Sequence, residues 1–143
     1  MEPLTRRMAL HFYTDLVDEC LDFYSRLLSF TIVKDLEMAN GRRWATVAKS
    51  DNLGIQLHFH PIKPDLDRGS PIQIEFSHPD PWSLRDNLSS NGFEVTEWEL
   101  PYAWGIECSD PLGNRITLSF WGNEEHDLDN GYGDHVTGTG NAG

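Results

Sequence analysis

SDPLGNRITLSF, residues 109–120, occurs a second time in slightly shortened form as SDNLGIQLHF over residues 50–59. In each copy Ser-Asp-x-Leu-Gly supplies turn chemistry, and an alternating apolar/polar run follows: Ile55, Leu57 and Phe59 in one, Ile116, Leu118 and Phe120 in the other. A turn feeding a strand, used twice, predicts two copies of one supersecondary unit that bury a shared core.

The repeat extends outward in both directions. Setting Asp15 against His78, at a constant offset of about 63 residues, aligns Leu21 with Leu84, Ser29 with Gly92, Phe30 with Phe93 and Ile32 with Val95. Trp44 falls opposite Trp104 within about one residue. Each copy reads as βαβββ. Met8–Tyr13 is a strand, and a helix runs from about Asp18 to Leu28, with Leu21, Tyr24, Leu27 and Leu28 on one stripe and Asp15 or Asp18 as its cap. Phe30–Glu37 and Arg43–Lys49 form a hairpin about Asn40-Gly41, and Ile55–His60 closes the unit. The second copy uses Pro71–Phe76, a helix opened by Asp80-Pro81 and ended near Gly92, then Phe93–Glu99, Trp104–Cys108 and Arg115–Trp121.

The expected fold class is therefore α+β, with modules over about 8–60 and 71–121 in one domain spanning 1–121. PIKPDLDRGS, residues 61–70, is rich in turn formers and reads as the linker. Residues 122–143 are acidic, glycine-rich and aperiodic, and are expected to be a disordered tail; their GYGD and GTGN pieces are too few to stack into calcium-binding repeats.

A length of 143 residues suffices for a core without disulfides, and Cys20 and Cys108 lie in no CxxC spacing, so both are read as reduced. The net charge of −12 argues against nucleic acid and leaves neutral or cationic small molecules as partners. The start MEPLTRRMALHF has no apolar leader core, and no run is long enough to span a membrane, so a cytoplasmic location is expected and no membrane partner.

Strand alternation sorts the candidate site residues. If the apolar faces pack on the helices, the opposite faces carry Gln56, His58, His60, Gln73, Glu75, Thr117 and Ser119. Phe12, Trp44, Trp104 and Trp121 sit near these faces or their rims, where large aromatics suit a partly apolar pocket with a few convergent polar groups. The competing reading of such a face is that it is simply wet.

The paired βαβββ units, the LDFYSRLLSF helix-to-strand passage, the PYAWG loop and the ending SDPLGNRITLSF resemble the glyoxalase, bleomycin resistance and extradiol dioxygenase (vicinal oxygen chelate) superfamily over about Met8–Trp121. The resemblance implies curled mixed sheets that form a cleft, commonly completed in a homodimer. It also implies a divalent metal held by histidine and glutamate at four positions. Here those positions carry Met8, Pro71, Gln56 and Thr117, a poor donor set. What remains resembles the metal-free branch, whose members sequester a bleomycin-type antibiotic without altering it. That branch implies no cofactor, no catalytic residue and a large, cationic, partly planar ligand. Trp104 and Trp44 would lie beside it and the QLHFH strand would form the floor.

Two enzymatic readings compete. His58 and His60 share a strand face and Glu75 the matching face of another strand, so two histidines and a carboxylate could hold Fe, Mn or Zn for lyase, isomerase or dioxygenase chemistry at a relocated site. A metal-free acid/base pair of Glu75 with His58 or His60 is the other. His11 reads as a packing or hydrogen-bonding histidine, and His78, before Pro79, as structural.

Overall fold

The computed structural model describes residues 7–37, 39, 41–61 and 71–122. The expected linker, apart from Pro61, and the expected tail, apart from Gly122, lie outside the described residues, as does Asn40 of the first hairpin. The chain divides into two compact units, one formed by the residues up to Pro71 with Asp110–Gly113, the other by Ile72–Ser109 with the residues from Asn114 onward.

In the first unit the order is β1 (Met8–Tyr13), α1 (Val17–Asp22) continued by a π-helical turn at Phe23–Leu27, β2 (Thr31–Glu37), β3 (Arg43–Lys49) and β4 (Asn52–His60). The second unit repeats it with β5 (Gln73–Ser77), a 3₁₀ turn at Pro81–Leu84 leading into α2 (Arg85–Ser90), β6 (Thr96–Leu100), β7 (Ala103–Ser109) and β8 (Arg115–Trp121). Each unit is a four-stranded mixed sheet, β1-β4-β3-β2 and β5-β8-β7-β6, with the outer pair β1/β4 or β5/β8 parallel and the rest antiparallel. The parallel pair needs a crossover, which the helix supplies.

Alternation decides which strand residues enter the core. In the first unit Ala45, Val47, Leu57 and Phe59 are buried along with Cys20, Leu21, Phe23, Tyr24 and Leu27 of the helical segment, and the Tyr24 ring stacks on Phe59 at 5.7 Å. Ile74, Phe76, Leu88, Ile106, Ile116 and Leu118 form the second core. Burial of each large side chain stabilises by roughly 1.5–3 kcal/mol.

The helix start differs from the expected carboxylate cap. No side chain caps α1 in the usual way; the Thr14 hydroxyl accepts the Leu16 N–H at 2.9 Å, while Asp18 pairs with Arg43 at 2.7 Å. The helix begins at Val17 with Leu16 at the cap position, so Asp18 falls inside the first turn and is free to meet Arg43. Asp80 likewise precedes its helical segment, with Pro81 at the first position, without a side-chain cap bond. At the other end of the first helical segment Ser29 adopts φ +63°, and Gly92 occupies the matching place in the second unit at φ +88°. The Phe30 N–H reaches back to the Tyr24 carbonyl at 2.8 Å, closing the helix end around Ser29.

Asp110, from the second SDxLG turn, belongs to the first unit and is buried there. Its Oδ1 accepts the Leu112 N–H at 2.9 Å and its Oδ2 accepts the Tyr24 hydroxyl at 2.6 Å. The same buried environment, together with the nearby Asp110 and Glu19 carboxylates, pushes the Cys20 thiol up to about 12, so it stays protonated and packs as a small apolar group.

Two outcomes are expected in urea unfolding. Ser29→Gly relieves a left-handed backbone conformation and stabilises the protein by up to about 1 kcal/mol, partly offset by the freer unfolded glycine. Tyr24→Phe leaves a buried carboxylate oxygen without this donor and costs about 2 kcal/mol.

Candidate functional site

Each sheet has a face turned away from its helix, and these faces hold most of the polar candidates. In the first unit the parallel register sets His11 beside His58 and Tyr13 beside His60, while Thr46 of β3 lies across from His58 and Lys34 of β2 across from Thr46. Trp44, two residues before Thr46, shares this face. Phe12 does not: it pairs with Phe59, with ring centroids 5.9 Å apart, on the helix side.

Three imidazoles stack there. His11 lies 4.6 Å from His58 and 5.1 Å from His60 between ring centroids, with near-parallel planes, and Tyr13 continues the stack on His60 at 4.9 Å. His11 Nδ1 and His60 Nε2 share a hydrogen at 2.9 Å. His58, itself buried, bonds Thr46 Oγ1 through Nδ1 and Gln56 Oε1 through Nε2, both at 3.0 Å. The Gln56 amide is oriented by its own N–H bond to the Leu53 carbonyl at 3.1 Å. Burial first, and then the charges possible on His11, His60, Arg7 and Lys34, lower the His58 pKa to about 4, so this ring is neutral at pH 7.

The Lys34 ammonium sits 4.0 Å over the Trp44 ring. That ring face already has a cation, so a cationic ligand at Trp44 would have to displace Lys34.

In the second unit the corresponding face carries Gln73 and Glu75 of β5, Thr117, Ser119 and Trp121 of β8, and Glu107 of β7. Glu75 accepts hydrogen bonds from Ser119 Oγ at 2.5 Å and Trp121 Nε1 at 3.3 Å. Thr117 lies in register between Glu75 and Glu107, is only 7% exposed, and its Oγ1 has no hydrogen-bond partner among the described residues. Two aromatic residues absent from the sequence-based candidates complete this face. Trp98 of β6 lies across from Gly105, where its ring occupies the space that a side chain on Gly105 would need, and Tyr102 packs on Trp121 at 5.6 Å. The glycine opposite a tryptophan was the available signal.

Trp104 occupies the other face. It is in register with Phe120, their rings 5.8 Å apart, and lies 4.6 Å from Trp82, whose indole N–H bonds the Gly105 carbonyl. The strand partners explain why: Val47 pairs with Leu57 as Ile106 pairs with Leu118, so the repeat partner of Trp44 is Ala103. An offset of one residue in a strand turns the side chain to the opposite face.

The relocated triad His58, His60 and Glu75 is divided between the units, and it is His11 that joins the two histidines. The four positions at which the resemblance expects metal ligands do not fit one. Met8 pairs with Ile55 on the face opposite Gln56, Gln56 is engaged with Leu53 and His58, and neither Pro71 nor Thr117 offers an anionic or imidazole donor. His78 accepts the Asp80 N–H at 2.9 Å in its turn, a structural role.

No protein-family model matches the sequence, and no curated protein matches it. Solved structures do. A glyoxalase/bleomycin resistance protein from Streptomyces sp. CB03234 aligns with a TM-score of 0.64 at 23% identity, covering 78% of this chain and 97% of that one. TnmS3, an antibiotic binding protein from the same strain, aligns with a TM-score of 0.66 at 21% identity over 85% of this chain and 99% of its own. A member of the glyoxalase/bleomycin resistance protein/dioxygenase superfamily from Sphaerobacter thermophilus DSM 20745 gives 0.62 at 20% identity, covering 82% and 98%. The two modules thus have the glyoxalase/bleomycin resistance-type fold. Among the described residues no helix is long and apolar enough to cross a membrane.

Gly105→Ala tests the packing of the second face. A Cβ there would stand 2.2 Å from the Leu118 carbonyl oxygen and 2.6 Å from the Trp98 ring. Overpacking of this severity is expected to cost about 3 kcal/mol or more in thermal or urea unfolding and to shift the Trp98 fluorescence.

Proposed function

We propose that this protein binds a small molecule directly through side chains, without a metal and without converting it, and that its ligand is an antibiotic of the cationic, partly planar kind. The observation that carries the reading is the second unit's face away from its helix, where Glu75 accepts bonds from Ser119 and Trp121 among Trp98 and Tyr102, beside a buried Thr117 hydroxyl that has no partner among the described residues. A carboxylate beside tryptophan rings attracts a cation and offers a surface for stacking. The net charge of −12 adds long-range attraction. A solved structure of the same fold is that of an antibiotic binding protein, which supports the assignment of class.

On this reading Gln73, Glu75 and Trp121 contact the ligand, with the buried Thr117 and Ser119 beside Glu75, and Gln56, His58, His60 and Trp44 are a separate candidate surface of the first unit. Phe12 and Trp104, on the helix faces, act through packing. The working form is a cytoplasmic homodimer, and the exposed Ile32, Val33 and Leu36 of the edge strand β2 supply apolar surface for association.

Bleomycin is the probe. In buffer containing EDTA it is expected to quench tryptophan fluorescence saturably at one equivalent per chain, to be recovered unchanged by mass spectrometry, and to bind at least ~10-fold more weakly to Glu75→Gln and Trp121→Ala. Absence of saturable quenching would sink the antibiotic assignment, and recovery of a modified drug would make the protein an enzyme.

A further inference from the structure

We infer that the first unit holds a transition-metal site of its own, made by His11, His58 and His60, that takes a zinc-class divalent cation through three imidazole nitrogens. This goes beyond ligand capture by the second unit and does not depend on it.

The geometry comes from two strands. Alternation along β4 puts His58 and His60 on one face, and the parallel register of β1 brings His11 beside them. One ring nitrogen from each of the three lies within 4.8 Å of the others. Two of those rings already face each other nitrogen to nitrogen at 2.9 Å. With Zn–N bonds of about 2.0–2.1 Å, tetrahedral ligand atoms stand roughly 3.3–3.4 Å apart. His11 is exposed and His60 half-buried, so both can turn the remaining distance, whereas His58 is anchored.

The chemistry agrees with the spacing. Neutral imidazoles suit Zn²⁺, Co²⁺, Ni²⁺ and Cu²⁺; the set has no carboxylate, which argues against Mg²⁺ and Ca²⁺. The hydrogen shared between His11 Nδ1 and His60 Nε2 belongs to one ring and moves to that ring's other nitrogen when the metal takes its place. At His58 the Thr46 hydroxyl supports either tautomer, since it can donate to a bare Nδ1 or accept from Nδ1–H. Gln56 Oε1 bonds His58 Nε2 at 3.0 Å, so a metal taken at that nitrogen displaces the Gln56 amide from it. Arg7 and Lys34 act against a dication here, so affinity rests on the three nitrogen bonds rather than on the field.

The experiment uses the full chain, stripped with chelator and titrated with Co²⁺ and separately with Zn²⁺. One saturable equivalent is expected, with Co²⁺ giving visible ligand-field absorption. His11→Ala and His60→Ala, at accessible positions, should each weaken binding at least ~10-fold while circular dichroism and thermal unfolding of the metal-free protein stay unchanged. A His78→Ala, His126→Ala, His135→Ala triple variant, which removes the other histidines, should bind as the parent does. Absence of a saturable Co²⁺ spectrum, binding that persists when His11 and His60 are both replaced, or binding lost in the triple variant would each overturn the site. Bleomycin quenching in EDTA is read separately, so failure of one proposal leaves the other standing.

Discussion

Each module depends on the parallel pairing of its first strand with its last. Parallel neighbours cannot be joined by a tight turn, so the chain must cross over, and the helical segment between β1 and β2, or between β5 and β6, covers one face of the sheet as it does so. The face away from the helix is then defined. The same pairing sets His11 beside His58 in one unit and Glu75 beside Thr117 in the other. Hydrogen-bonded backbone holds those side chains together, more rigidly than loops would.

The two modules share a topology but differ in the chemistry of the faces turned away from their helices. The first is rich in imidazole, with Lys34 and Arg7 nearby and a cation already on Trp44. The second is built from carboxylate, hydroxyl and indole. One duplicated framework thus presents a nitrogen-donor face and an acidic-aromatic face, and the two invite different ligands. The fold sets where the groups stand, and the side chains decide what they recognise.

Asp110 ties the repeat together in a different way. Its carboxylate closes its own turn through Leu112 and accepts the Tyr24 hydroxyl, so a residue from the second SDxLG motif satisfies a buried group of the first unit's helix. A buried carboxylate is tolerated only when its oxygens are occupied, and both are. The corresponding residue of the first turn, Asp51, is exposed and pairs with Lys49 instead.

The repeat, its βαβββ order, the strand alternation and the membership of Gln56, His58, His60, Glu75, Thr117 and Ser119 in the faces away from the helices were all legible in the sequence, because a period of two and turn residues are local properties. Pairing between distant strands was not. The register of β1 on β4 made His11 the third member of the histidine group, and the register of β7 on β8 moved Trp104 to the helix side, although the repeat alignment was only one residue out. Trp98 joined the second face because Gly105 leaves it room, a fact of packing across strands rather than along one. Sequence by itself determined which residues alternate; only the tertiary structure decided which of them meet, because hydrogen-bond register between strands far apart in the chain is set by the whole sheet and its helix together.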